Sequence, residues 1–165
     1  MNGQSATPAD RGPHPLPLTG GCPCGAIRYE INAAPLLLYA CHCTNCQRQS
    51  GAAFAMNMPV RTETFRILQG EPKAWRRLSP EGVETVSWFC ADCGGRIHGS
   101  RADRPESVTV RAGGLDDTSW LVPAFHMFVR SAQPWLQLPA RDCYDTAPDD
   151  RRMRATAWQT IWSAS

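Results

Sequence analysis

Short runs in which apolar and polar residues alternate fill the middle of the chain. "AIRYEI" sets Ile27, Tyr29 and Ile31 against Arg28 and Glu30, the period of two expected of a strand with one buried face. "FAMNMPV" lines up Phe54, Met56, Met58 and Val60 in the same way. "KAWRRL" and "VETVSWF" flank "SPEG", and Pro80 and Gly82 there predict two strands joined by a turn. "SVTVRAG" and "HMFVR" add shorter β segments. One stretch breaks the pattern: "TNCQRQS" predicts a short helical turn opening just after Cys43, with Thr44 or Asn45 as N-cap. Together these runs predict a mainly β fold, one domain over residues 19–145.

The two ends read differently. Residues 1–18 are rich in Pro, Gly, Ser and Ala without any period, which predicts a disordered tail. The extension over residues 146–165 places Met153, Ala157, Trp158, Ile161 and Trp162 along one side of a C-terminal helix. Asp149 and Asp150 suit its first turn, while Arg154 interrupts the apolar arc.

Composition narrows the class. The 165 residues carry a formal net charge of +2, with Lys73 as the single lysine, too weak a field to suggest nucleic acid or an anionic membrane as partner. No apolar stretch approaches the roughly 18 residues of a membrane span, and the start lacks the basic-then-apolar pattern of a secretory signal. The expected setting is cytoplasmic and reducing, where clustered cysteines hold metal rather than bridge each other.

The eight cysteines fall into four groups: Cys22 and Cys24; Cys41, Cys43 and Cys46; Cys90 and Cys93; and Cys143 alone. Two tight pairs far apart, each flanked by glycine, suit a closed structural zinc site, so Cys22, Cys24, Cys90 and Cys93 are read as its four ligands. The middle three can hold a second zinc but cannot finish a tetrahedron. Either a fourth protein ligand closes it (His98, His126 or a distant Asp) or the position stays open for chemistry. His42, wedged between two ligands on a tight turn, is expected to point away, and Cys143 is read as an isolated small residue. A thiolate-rich zinc favours a sulfur ligand in an open position, which suggests a sulfur-containing substrate.

"GGCPCGAIRYEI", "CHCTNCQRQSGAAF", "FCADCGGRI" and "FHMFVRSAQPWLQLP" together resemble the glutathione-dependent formaldehyde-activating enzyme family, to which centromere protein V also belongs. The resemblance implies a zinc-bearing β fold like that of the small Rab exchange factor, with two Zn²⁺ per chain. It maps Cys22, Cys24, Cys90 and Cys93 onto structural ligands, and Cys41, Cys43 and Cys46 onto the active-site zinc. The implied activity is a carbon–sulfur lyase reaction interconverting glutathione plus formaldehyde with S-(hydroxymethyl)glutathione, and the implied partner is a small thiol or its adduct. His126 is the candidate base and Arg48 the candidate contact for a substrate carboxylate. The competing expectation is a non-catalytic, zinc-scaffolded module of the same fold that binds a protein partner.

Overall fold

The computed structural model describes residues 15–79, 81–139, 142–149 and 155. The expected C-terminal helix lies outside these residues apart from Ala155, as do residues 1–14 of the expected tail. The strands are β1 (Leu18–Gly21), β2 (Arg28–Ile31), β3 (Tyr39–Cys41), β4 (Ala55–Arg61), β5 (Phe65–Gln69), β6 (Lys73–Leu78), β7 (Glu84–Phe89), β8 (Arg96–Arg101), β9 (Ser107–Arg111), β10 (His126–Met127) and β11 (Cys143–Tyr144). One helix, α1 (Thr44–Ser50), connects β3 to β4.

Two sheets form, one with the order β1-β2-β5 and one with the order β11-β10-β3-β4-β9-β8-β7-β6. The hairpin predicted around Gly82 is β6 and β7, paired antiparallel from Lys73↔Phe89 to Leu78↔Glu84. The alternation read in "AIRYEI" is observed: Ile27, Tyr29 and Ile31 are all buried, with Ile31 fully so. They face Met58, Val60, Val108 and Val110 of the larger sheet in one core. Rings tie the two layers, since Phe65 packs on Tyr29 at 5.4 Å and on His98 at 4.7 Å.

Three local expectations shift. The N-cap of α1 is Cys43, whose sulfur accepts the Cys46 N–H and so does the work expected of Thr44 or Asn45. "HMFVR" contributes just two strand residues, because Phe128 turns to φ 58 and the chain continues as a 3₁₀ turn over Val129–Ser131. β4 is covered on both faces: Met58 and Val60 face the core, while Asn57 on the other side is also buried, at 4% exposure.

That second face positions the site. Directly opposed residues of adjacent strands point to the same side of a sheet. Cys41 opposes Ala55; Asn57, two residues on, opposes Arg111; Thr109 opposes Gly99; Gly99 opposes Ser87; Ser87 opposes Trp75. These residues therefore share the outer face, turned away from the core. A bulge brings in one more. Phe89 opposes Arg96 while Trp88 opposes His98, so Ile97 is the extra residue and Arg96 joins the outer face.

Met58→Ala should cost about 2–5 kcal/mol of unfolding free energy, whereas Leu78→Ala, at an exposed edge, should stay within about 0.5 kcal/mol. Urea titration checks the contrast. His98 lies between the Trp88 and Phe65 rings, and burial pushes its pKa down from 6.5 to about 4. The unfolded chain thus takes up a proton on this residue from about pH 6.5 and the folded one only near 4, so the contribution of His98 to stability falls as pH drops through that window. Its ring resonances should titrate near pH 4 in an NMR series.

Candidate metal centres

The turn "CPCG" and the turn "CADCGG" converge although Cys24 and Cys90 stand 66 residues apart in the chain. Cys22 N–H bonds the Ile27 carbonyl and Ile27 N–H returns to the Cys22 sulfur, closing the first loop. Cys90 N–H bonds the Gly95 carbonyl and Gly94 N–H bonds the Cys90 carbonyl, closing the second. Gly94 sits at φ 72, which favours glycine, and a Cβ at Gly95 would lie 2.6 Å from Pro23 Cδ. Glycine here lets the two turns touch.

The result is a group of four sulfurs, Cys22, Cys24, Cys90 and Cys93, all within 4.8 Å of one another. Cys22–Cys24 is 3.4 Å and Cys24–Cys90 is 3.7 Å. A tetrahedron with zinc–sulfur arms near 2.3 Å has edges of about 3.8 Å. The donor set and its spacing fit zinc. Cys22 and Cys90 are buried, and Cys24 and Cys93 face outward.

Cys41, Cys43 and Cys46 form a second group within the same limit, with Cys41–Cys43 at 3.6 Å. Cys41 ends β3 and is buried, Cys43 caps α1, and Cys46 lies in its first turn. The thiols of Cys41 and then Cys46 hold Cys43 down to about 2, while hydrogen bonding to Cys43 raises Cys41 far above its ordinary value. One sulfur of the three carries the charge unless a cation lets the others ionise. Among the described residues no histidine or carboxylate completes this group.

The histidines considered as a fourth ligand lie elsewhere. His98 is in the core. His126 pairs with His42, Nδ1 to Nε2 at 2.9 Å, and both rings contact Phe54. His42 is fully buried and its Nδ1 has no hydrogen-bond partner. Arg48 stands exposed on α1, two residues past Cys46, a spacing that does not share a helix face. Cys143, beside His126 in register, bonds the Pro139 carbonyl at 3.3 Å.

Other residues surround the three thiols without having been singled out. Gln47 Nε2 donates to the carbonyls of His42 and Ser131, at 2.6 and 2.7 Å, and pins α1 to the loop after β10. Arg111 donates to Asn57 Oδ1 at 2.5 Å and to Gln49 Oε1 at 3.1 Å. A buried amide amid the apolar run "FAMNMPV" was the one available signal. The others reach the site through strand register.

Two clusters of cysteine, one of four and one of three, on a mainly β fold are consistent with two metal sites, and the thiol donor sets suit zinc. Residues 17–131 match the family of glutathione-dependent formaldehyde-activating enzymes, and the chain belongs to that family. Its fold is also similar to the crystal structure of a Rhodobacter sphaeroides protein, at a TM-score of 0.50 and 24% identity over 61% of this chain and 89% of that one.

Cys90→Ser and Cys43→Ser should each lose one zinc by elemental analysis. The first also opens a clip between residues 66 apart, and by analogy with a cross-link removes about 4 kcal/mol. Its thermal midpoint should fall by about 10 °C or more. Cys43→Ser should stay close to the parent.

Proposed function

We propose that the chain makes and breaks the carbon–sulfur bond between formaldehyde and a small thiol such as glutathione, as a zinc-dependent lyase. The observation that carries this reading is the group of three thiols without a fourth protein donor among the described residues. It lies on the sheet face that also presents Arg111 and Asn57. A wholly structural site would have every position filled by protein. Zinc held by Cys41, Cys43 and Cys46 would supply positive charge and a free coordination position suited to sulfur.

The chain's own groups handle the proton. In the cleaving direction the hydroxyl of a hydroxymethyl thioether loses its proton, the carbon–oxygen bond becomes a carbonyl, and the carbon–sulfur pair leaves with sulfur. We assign His126 Nε2 to accept that proton. Its Nδ1–H would be held by His42 Nε2 across their 2.9 Å contact, and burial lowers its pKa, which favours the neutral ring that can accept. Strand β10 runs beside β3 with His126 opposite Ala40. At that register its side chain and that of Cys41 leave opposite faces of the sheet, so the assignment rests on the imidazole pair alone.

Hydroxymethyl thioether formation from formaldehyde and glutathione should run faster with the zinc-loaded protein than without it, and Cys43→Ser should abolish the difference. Equal rates with and without protein would overturn the reading. His126→Gln should lower kcat by about 10²-fold with zinc content intact; an unchanged kcat would remove His126 from the reaction.

A further inference from the structure

A cleft of about 210 Å³ opens on the outer face, lined by Gln49, Trp75, Ser87, Phe89, Gly94 and Arg96. One wall is α1 and another is the "CADCGG" turn, so the cleft lies between the two cysteine clusters. Gln49 follows Cys46 by three residues and shares its helix face. A Cβ at Gly94 would meet nothing within 4 Å, consistent with that turn bordering open space.

Arg96 lines this cleft, with Arg77 and Arg111 close enough for their charges to act on it. Arg96 has its Nε and Nη1 buried with no hydrogen-bond partner, and Arg77 Nε is in the same condition. Arg77 lies over the Trp75 ring at 6.0 Å. Among the described residues, Arg111 donates to neutral amide oxygens, those of Asn57 and Gln49. Burial is the main cause that pushes the Arg96 pKa down to about 9, and the charges of Arg111 and Arg77 push it further in the same direction. The Cys46 sulfur is the one acting in the opposite direction. Buried guanidinium groups are otherwise found paired, because an unpaired buried charge is strongly destabilising. No carboxylate of the described residues bonds or pairs with Arg96, Arg77 or Arg111.

We infer that this cleft is an oxyanion-recognition site in which Arg96, supported by Arg111 and Arg77, holds the negatively charged end of the thiol whose sulfur approaches Cys41, Cys43 and Cys46. The inference rests on the lyase reading for the thiol and on the arginines for the charge. Arg96 Nε and Nη1 are sealed from solvent, so a two-bond fork onto a carboxylate or sulfonate requires the side chain to turn toward the cleft. The volume is below the roughly 300–1,000 Å³ of drug-sized ligand sites, so it takes a small acidic thiol or one end of a larger one. The substrate class is therefore narrower than thiols at large: it carries a compact oxyanion close to its sulfur. Arg48, exposed on the far side of α1, is not needed for this contact.

The test compares zinc-loaded parent and Arg96→Gln with formaldehyde and four thiols: 3-mercaptopropionate, 2-mercaptoethanesulfonate, neutral 2-mercaptoethanol and cationic cysteamine. The parent should favour the two anionic thiols in kcat/KM, and Arg96→Gln should reduce that preference roughly tenfold or more, mostly through KM. Arg96→Lys should recover part of it. Thermal unfolding supplies a second readout. The parent midpoint should climb with 3-mercaptopropionate or the sulfonate and Arg96→Gln should not follow. The variant alone should be no less stable than the parent, since an unpaired buried charge is gone. A larger shift with one anion identifies which oxyanion fits. Turnover of all four thiols with no anionic preference, or one unchanged in Arg96→Gln, overturns the cleft assignment and leaves the lyase standing. Anion-dependent stabilisation of the parent without turnover of any thiol keeps the cleft and removes the lyase. Absence of both removes the two together.

Discussion

Sulfur crowding is the constraint on which the rest of this structure depends. Seven cysteine sulfurs are gathered into two groups whose members lie within 4.8 Å of one another. Ionised thiols at that spacing repel, and neutral ones gain little from meeting. A divalent cation changes the balance, because it stabilises all the thiolates at once and converts separated segments into one bonded unit. Around such a cation the four-sulfur group would join the turns at residues 22–24 and 90–93 and fix the small sheet's entry against the end of β7. The three-sulfur group acts within one segment, so it holds little of the fold together. On the proposed reading, that difference in reach separates a scaffold from a place for chemistry.

Strand register does the remaining positioning. The larger sheet turns one face to the core and the other to α1 and the cysteines. Its outer face brings Asn57, Arg111, Arg96, Ser87 and Trp75 together from five different strands. A single bulged residue, Ile97, decides that Arg96 belongs to that face and lets Ile97 and His98 both be buried. Polar groups that would be excluded from a core are thereby concentrated beside the three thiols, and Arg111 reaches both β4 and α1.

The sequence made the cysteine groups legible because their spacing is local and their chemistry is narrow. Ile27, Tyr29 and Ile31 announced β2, and the turn at Gly82 announced the β6–β7 hairpin, for the same reason. Where the outcome depended on partners distant in sequence, the residues alone were silent. β8 escaped notice because its bulge breaks the period of two, and β3 because it is three residues long. Arg48 drew attention by being near the cysteines in sequence, while Arg96 and Arg111 are near them in space. Cys43 as N-cap was hidden by its more obvious reading as a ligand.

The central claim is that three of the sulfurs hold a zinc whose fourth position is taken by a substrate sulfur, not by this chain. Zinc K-edge absorption on the two-zinc protein tests it most directly. The account predicts sulfur contacts equal to the seven clustered cysteines, plus one light-atom contact that is replaced by an eighth sulfur when a thiol is added. A spectrum already showing a histidine nitrogen in that place, and unmoved by thiol, would contradict it.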